Sequence, residues 1–328
     1  MLSDELFNKV LVDPVNAGAN ELFVVSGYAT SAMAFHHLEI LRTELKKDVK
    51  IHLIVGMCIL DGLSQSNHMG FMKIMENDFK GSFTCSYVTT TPPLHSKIYA
   101  WYQGKKPIAG FAGSANYTQA AFYNKQRECV IPTDPIECRK YFDSLGKETM
   151  FCNHNDVEAT IQIYPDDAFS LYKRPSKVTE GLEMPSSKKK IAGVPTLTLS
   201  LLTQKGAIHN RAGLNWGQRP KRNRDQAYIP IATETYKDSP DFFPARGLHF
   251  TVHTDDDKTL ICTRAQDNGK AIEIPQDNSL LGQYFKSRMG LPQGKFITKE
   301  DLVRYGRTDV EFYKIDDETY YMDFSIPA

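Results

Sequence analysis

The chain has 328 residues, 41% of them hydrophobic, and carries no net formal charge at pH 7. This length predicts two domains, and the neutral balance argues against binding a polyanion over the whole surface, so any nucleic-acid surface must be local. The absence of a run of about 18 apolar residues argues against a membrane-spanning helix. The acidic first segment is not typical of a signal peptide. The six cysteines include no C-x-x-C pair, which favours a cytoplasmic location and argues against a zinc site.

The first half alternates strand and helix patterns, which indicates an α/β domain with a parallel or mixed sheet. The predicted strands are 21–26, 49–55, 83–88 and a strand that begins at residue 95, and the predicted helices are 31–47 and 134–149. The turn at 27–30 follows the first strand, where α/β proteins place substrate sites. A simple helix cap explains that turn equally well.

The segment 95–116 carries the strongest functional signal. His95 and Lys97 are two residues apart, and on a β-strand this spacing points both side chains to one face. Gly113, Ser114 and Asn116 follow in a G-S-x-N turn that offers a hydroxyl, an amide and free backbone N–H groups. Each element alone is an ordinary strand or turn, but a nucleophile, a fixed cation and neutral donors together indicate a site for a phosphodiester.

This combination resembles the half-motif of the phospholipase D superfamily, H-x-K-x4-D-x6-G-S-x-N. One departure is plain, because Tyr102 stands at the aspartate position. The departure weakens a match to lipid-cleaving members, whereas nuclease branches of the superfamily tolerate it.

The resemblance implies roles for five residues. His95 would attack phosphorus and form a covalent phosphohistidine. Lys97, Ser114 and Asn116 would hold the non-bridging oxygens and stabilise the developing charge. Glu128, which lies beyond the turn in a predicted strand, would fix the tautomer and orientation of His95. The resemblance implies neither a metal ion nor another cofactor.

The chain has one such half-motif, whereas the chemistry of the superfamily needs two histidines. None of the other eight of its nine histidines is followed by lysine at the second position. The second histidine, which protonates the leaving oxygen and then activates water, is therefore expected from another chain. The simplest closed arrangement is a two-fold homodimer formed through the catalytic domain.

The segment 178–195 is rich in proline, glycine, serine and charge, which predicts a linker between a catalytic domain at 1–177 and a second domain at 196–328. Strand patterns predominate beyond it, with helices only at 278–289 and 298–305. The predicted strands are 196–202, 227–231, 248–253, 259–263 and 320–326. This pattern favours a mostly β domain of the barrel type.

Two polar loops in the β domain predict DNA binding. Arginine together with asparagine and glutamine is the combination that contacts both phosphates and base edges. The first loop carries Asn215, Trp216, Gln218, Arg219, Lys221, Arg222, Asn223 and Arg224. The second loop carries Arg264, Gln266, Asp267, Asn268 and Lys270. Either loop alone is ordinary surface, whereas two loops beside a phosphodiesterase domain favour DNA recognition.

The second half resembles the B3-type DNA-binding domain of restriction enzymes, a pseudobarrel with two polar arms, and it ends in LGQYFKSRMGLP, ITKEDLVRYGRTDVEFYKI and ETYYMDFS. A phospholipase-D-like half followed by a B3-like half is the arrangement of the BfiI and NgoFVII types of restriction endonuclease. The resemblance implies an N-arm around 215–226 and a C-arm around 263–270 that grip the major groove.

The function implied is a metal-independent type II restriction endonuclease that acts as a homodimer on double-stranded DNA. One shared site must cut two strands in sequence, at positions displaced from a short asymmetric recognition site. A helicase-like ATPase subunit accompanies some such nucleases, and a methyltransferase partner is expected on biological grounds.

Two alternatives stay open. A lipid-headgroup phosphodiesterase is disfavoured by Tyr102, by the lack of a membrane-binding helix and by the basic loops. A catalytically idle DNA-binding or sensor protein predicts specific DNA retention without cleavage.

Overall fold

The computed structural model describes residues 1–123, 125–166 and 194–326, with the side chain of Asn268 left out. The chain divides into two compact units, Met1–Leu182 and Glu183–Ala328. Most of the predicted linker at 178–195 lies outside the described residues, so its boundaries stay a prediction. Within the described residues, no helix is both long enough and apolar enough to cross a membrane.

A mixed β-sheet forms the centre of the first unit. Its strands are β1 (Glu21–Ser26), β2 (Lys50–Val55), β4 (Phe83–Val88), β5 (Lys97–Gln103), β6 (Lys106–Gly113), β7 (Val130–Thr133) and β8 (Thr149–Phe151). Their order is β7-β6-β5-β1-β2-β4-β8, with β1, β2 and β4 parallel and the other neighbours antiparallel. A separate small sheet pairs β3 (Leu63–Ser64) with β9 (Ile163–Tyr164). The central strand β1 is almost entirely buried, which explains its continuous apolar run.

The main helices of this unit are α1 (Ser31–Thr43), α2 (Gln65–Lys73) and α3 (Pro135–Ser144). Thr30 caps α1 by accepting from the backbone N–H of Met33, and α3 packs on β1, β5 and β6. Short helical turns lie at Phe7–Val12, Asp13–Asn16, Cys58–Asp61, Ile74–Asp78, Gln119–Phe122, Leu145–Lys147 and Val157–Thr160.

Two helix predictions in this unit extend too far. The helix predicted to reach residue 47 ends at Thr43, because Lys46 adopts a left-handed conformation with φ of 53°. The helix predicted to reach residue 149 ends at Ser144, and Thr149–Phe151 pairs with β4 as the edge strand β8.

The second unit is a seven-stranded sheet that nearly closes on itself. Its strands are β10 (Thr196–Ser200), β11 (Ile229–Pro230), β12 (His249–Thr254), β13 (Thr259–Ala265), β14 (Ala271–Glu273), β15 (Asp309–Lys314) and β16 (Thr319–Asp323). They are ordered β10-β15-β16-β12-β13-β14-β11, and the two edge strands β10 and β11 approach each other. This is the pseudobarrel that the sequence predicts.

Apolar side chains from the barrel strands and from the helices α4 (Ser279–Arg288) and α5 (Lys299–Tyr305) fill one core, in which Phe250, Phe285 and Phe312 are fully buried. Short helical turns lie at Gly213–Gln218, Thr233–Asp238 and Asp267–Gly269. The sequence reasoning did not identify β14 and β15, although β15 shows the alternation of buried Val310 and Phe312 with more exposed polar neighbours.

Candidate active site and nucleic-acid interface

His95 lies at the carboxyl ends of the parallel strands β1 and β2. A Cβ atom on Gly27, directly after β1, would come within 2.7 Å of the His95 imidazole. A Cβ atom on Gly56, directly after β2, would come within 2.0 Å of the carbonyl oxygen of Leu94. The lack of side chains at these two glycines therefore lets the Leu94–His95 segment lie on the strand ends. His95 itself is exposed and precedes β5, so it is not part of the strand as predicted.

Lys97 is the first residue of β5 and pairs with Ser26 at the end of β1. Its side chain is largely covered, since the residue is 7% exposed, and its Nζ donates to the carbonyl oxygen of His95 over 2.7 Å. Burial lowers the pKa of Lys97, while the negative charge of Glu128 raises it. The ammonium therefore lies directly beneath the backbone of His95 and within the electrostatic reach of Glu128.

Ser114 and Glu128 contact each other at the neighbouring strand ends. The Ser114 hydroxyl donates to the Glu128 carboxylate and accepts from the backbone N–H of Cys129 over 3.0 Å. In the described part of the chain, no hydrogen bond joins Glu128 to His95. The predicted orienting role of Glu128 thus stays a prediction, and the contact that the structure provides for it is Ser114.

Asn116 is held by the turn that follows β1. Its Oδ1 accepts from the backbone N–H of Tyr28 over 3.1 Å, and the Tyr28 ring meets the His95 ring edge-on at 5.7 Å between centroids. The Tyr28 hydroxyl donates to Asp61 over 2.5 Å, and burial together with this bond raises the pKa of Tyr28 to about 12. The turn at 27–30 is therefore part of the site as well as a cap for α1. Tyr28 lies within the turn predicted at 27–30, whereas Asp61 was not among the predicted site residues.

Tyr102, which stands at the position of the aspartate in the superfamily motif, makes a hydrogen bond that connects two elements of the first unit. Its hydroxyl donates to the carbonyl oxygen of Pro135 over 3.0 Å at the start of α3. Tyr102 lies five residues along β5 from Lys97, which corresponds to about 16 Å of extended strand. Tyr102 therefore lies well away from the end of β5 next to His95.

Two buried histidines lie behind the site, where α1 meets the segment that follows Asn116. His37 hydrogen-bonds to the Tyr117 hydroxyl over 2.8 Å, and His36 to the Tyr123 hydroxyl over 2.5 Å. Burial lowers the pKa of His36 to about 4 and that of His37 to about 3. Both imidazoles are consequently neutral at pH 7. Among the described residues, no group of three or more histidine, cysteine, aspartate or glutamate side chains is arranged to hold a metal ion.

The predicted N-arm combines exposed basic residues with residues that make contacts within the protein. Arg219, Lys221, Arg222, Asn223 and Arg224 are exposed, and the Arg222 guanidinium lies 3.9 Å above the centre of the Trp216 ring. Gln218 is half-buried and donates to the carbonyl oxygens of Arg224 and Gly294.

Asn215, by contrast, belongs to the interior. It is 1% exposed, and its amide donates to the carbonyl oxygens of His209 and Ile297 and accepts from the backbone N–H of Ile297. This amide is therefore used within the protein, and the predicted contact of Asn215 with DNA stays a prediction.

The predicted C-arm also combines exposed and buried residues. Asp267 and Lys270 are exposed, and the exposed Gln266 donates to Glu273 over 2.8 Å. Arg264 is only 5% exposed and donates to the carbonyl oxygens of Gly269 and Pro244. Arg264 therefore holds the arm together from inside, and its predicted role in DNA binding stays a prediction.

A cleft of about 720 Å³ lies between the predicted C-arm and the β10 and β11 edges of the pseudobarrel. Gln266 and Lys270 line it together with Lys205, His209 and Tyr228. The sequence reasoning missed Lys205 and His209, although the glycine-punctuated polar loop after β10 is a signal that could have identified them.

Two family models match this chain in succession. The NgoFVII restriction endonuclease N-terminal PLD domain matches residues 4–159, and the NgoFVII C-terminal B3-like DNA-binding domain matches residues 189–316. The chain belongs to the NgoFVII restriction endonuclease family. The match confirms the phospholipase-D-like and B3-like assignments, so this chain is an endodeoxyribonuclease that binds DNA.

Two solved structures are similar to part of this chain. NucT from Helicobacter pylori is 14% identical, with 45% of this chain and 91% of that chain covered and a TM-score of 0.32. A polyphosphate kinase from Porphyromonas gingivalis is 16% identical, with 45% of this chain and 23% of that chain covered and a TM-score of 0.28. No protein with a curated description matches the chain.

Proposed function

We propose that this restriction endonuclease cuts DNA without a metal ion, through a covalent phosphohistidine at His95. The observation that carries the proposal is the arrangement at the β1 and β2 ends. There, the Lys97 ammonium donates to the backbone carbonyl oxygen of the exposed His95. The Tyr28 ring packs edge-on against the His95 imidazole, and the Tyr28 backbone N–H donates to the amide of Asn116. A nucleophile beside a cation and neutral donors suits a phosphodiester anion.

The reaction has two displacements. In the first, an imidazole nitrogen of His95 forms a bond to phosphorus while the bond from phosphorus to the leaving DNA oxygen breaks, and a second histidine gives that oxygen its proton. In the second, the same histidine takes a proton from water, the water oxygen bonds to phosphorus, and the phosphorus–nitrogen bond breaks. Both half-reactions conserve charge without a redox partner.

Lys97, Ser114 and Asn116 hold the non-bridging oxygens in this proposal. The Lys97 ammonium offsets the charge that develops on the phosphorane, and the hydroxyl and amide donate hydrogen bonds. Glu128 is proposed to fix the His95 tautomer. Ser114 contacts one oxygen of this carboxylate, which keeps further acceptor sites for an imidazole N–H.

The second histidine is proposed to be His95 of the partner subunit in a homodimer, because the chain carries one H-x-K. Mixing tests this directly. If both copies of His95 are needed, randomly assembled equal amounts of wild type and His95→Ala leave only about one quarter of the dimers active. Independent subunits would instead retain about half of the activity of the same total protein.

The pseudobarrel is proposed to supply specificity through its two arms. The exposed Arg219, Lys221, Arg222 and Arg224 form the basic N-arm surface, and Gln266, Asp267 and Lys270 face the duplex from the C-arm side. Contacts of the buried Asn215 and Arg264 with DNA stay predictions. Each domain would recognise a short asymmetric site, with sequential cleavage of the two strands away from it. Asn268, a helicase-like ATPase subunit, a methyltransferase and a cytoplasmic location stay predictions.

Digestion of a large, varied, unmethylated DNA in EDTA tests the proposal. Wild type should give discrete fragments whose ends map a sequence-specific site, and His95→Ala should bind that site without cutting it. His154→Ala removes an exposed histidine that lies outside the motif in sequence and should cut normally. A smear of fragments would contradict the proposed sequence specificity. Intact DNA that is retained specifically would support the alternative of a catalytically idle DNA-binding protein.

A further inference from the structure

Tyr28 is fixed at several points between the ends of β1 and β2. Its backbone N–H donates to Asn116 over 3.1 Å, and its carbonyl oxygen accepts from the Ser26 hydroxyl over 2.5 Å. Its hydroxyl donates to Asp61 over 2.5 Å. Asp61 closes the one-turn helix Cys58–Asp61 that follows β2, where its backbone N–H donates to Met57. Strand ends on either side of the site thus hold this one ring.

The held ring contacts the proposed nucleophile. The Tyr28 and His95 rings meet at an interplanar angle of 80° and a centroid separation of 5.7 Å, the edge-to-face geometry that aromatic pairs prefer. Gly27, the residue before Tyr28, lies close to the His95 ring. The imidazole, although exposed, is thus bordered by Gly27 and the Tyr28 ring, and no hydrogen bond within the described residues occupies either of its nitrogens.

This contact matters because Glu128, which is proposed to fix the tautomer of His95 in the reaction, makes no hydrogen bond to it in the described residues. Glu128 accepts from the Ser114 hydroxyl. The Tyr28 ring contacts the imidazole edge-on and occupies neither of its nitrogens. The Tyr28 hydroxyl, with its pKa raised to about 12, stays protonated at neutral pH and acts as an anchor to Asp61.

We propose that Tyr28 is a positioning residue for His95, that Asp61 and Asn116 anchor it, and that its ring holds the imidazole in line for attack. The inference rests on the proposed role of His95 as nucleophile. It predicts that the ring matters more than the hydroxyl, because the ring makes the contact and the hydroxyl only steadies it.

Single-turnover cleavage of bound DNA separates these contributions. Tyr28→Ala should slow cleavage by about 100-fold with little change in the DNA dissociation constant, which is the size of effect that a displaced reacting group produces. Tyr28→Phe keeps the ring and should restore cleavage to within about 10-fold of wild type. Tyr313→Phe removes another tyrosine-to-carboxylate bond, to Glu311 in the second unit, and should cut at the wild-type rate.

Imidazole NMR of histidine-labelled protein gives a readout that does not require cleavage. Tyr28→Ala should shift the His95 ring signals and leave those of the exposed His154 unchanged, at an unaltered thermal unfolding midpoint. Unshifted His95 signals would overturn the inference, as would wild-type cleavage by Tyr28→Ala or a loss that follows DNA affinity. If wild type fails to cut DNA while Tyr28→Ala still shifts His95, the proposed function fails and the positioning contact stands.

Discussion

The base of the N-arm is fixed by a buried ion pair between Asp225 and Lys286. The Lys286 side chain is fully buried, its Nζ lies 2.9 Å from the Asp225 carboxylate, and that carboxylate also accepts from the backbone N–H of Gly294 over 2.7 Å. Asp225→Asn keeps an acceptor for Gly294 but removes the negative charge. The substitution therefore leaves the Lys286 ammonium in the interior without a counter-charge.

We expect Asp225→Asn to lower the free energy of unfolding of the second unit by about 3–5 kcal/mol, the usual cost of a stranded buried charge. Adding Lys286→Met removes that charge as well, so the double variant should recover to within about 2 kcal/mol of wild type. A matched control is Asp317→Asn, which breaks a pair with Lys314 nearer the surface and should cost less than about 1 kcal/mol.

Urea unfolding followed by 19F NMR of 5-fluorotryptophan reports each unit separately, because Trp101 lies in the first unit and Trp216 in the second. Only the Trp216 transition should move. The reasoning is refuted if Asp225→Asn costs no more than Asp317→Asn, or if the double variant is as unstable as the single one.

Other predictions follow from burial and charge. Arg222→Ala should weaken specific DNA binding by about 1–3 kcal/mol. Loss of its contact with Trp216 should lower the free energy of unfolding by less than about 1 kcal/mol, and fluorescence anisotropy with thermal unfolding checks both values. Arg264→Ala should instead lower the free energy of unfolding by about 2–3 kcal/mol, since it leaves buried carbonyl oxygens without their charged donor; unchanged stability would contradict its buried position. Burial lowers the pKa of His36 and of His37 in the folded state. Their contribution to the free energy of unfolding is therefore complete above the pKa of the unfolded chain, near 6.5, and is lost as the pH falls below it. At pH 5, each of these histidines should lower the free energy of unfolding by about 2 kcal/mol relative to its value above the unfolded pKa. Substitution by Gln should flatten this pH dependence in urea titrations.

Features set by local sequence were predictable. The bounds of β1 and β4 match the predicted strands, because short apolar runs between turn residues carry their own signal. Lys97 lies beside His95 because the two residues are close in the chain. The family match confirms the fold of both halves, for which the motif spacing and the succession of short strands were sufficient evidence.

Features set by distant partners were not predictable. The polar side chains of Asn215 and Arg264 are of types usually found on the surface. In the structure they are buried and donate hydrogen bonds to the carbonyl oxygens of Ile297 and Pro244. The partner of Glu128 depends on how β6 and β7 pair, and that pairing brings Ser114 to it. The glycines that make room for the His95 segment act across strands, which a single sequence does not reveal.

Isolation of the covalent intermediate tests the central claim most directly. A single-turnover reaction in EDTA is stopped with alkaline denaturant, digested with protease, and searched by mass spectrometry for peptides joined to DNA. The account predicts one DNA-linked peptide, with the phosphate on His95 and no adduct in His95→Ala. Complete cleavage with no adduct at any time, or an adduct on another residue, would contradict it.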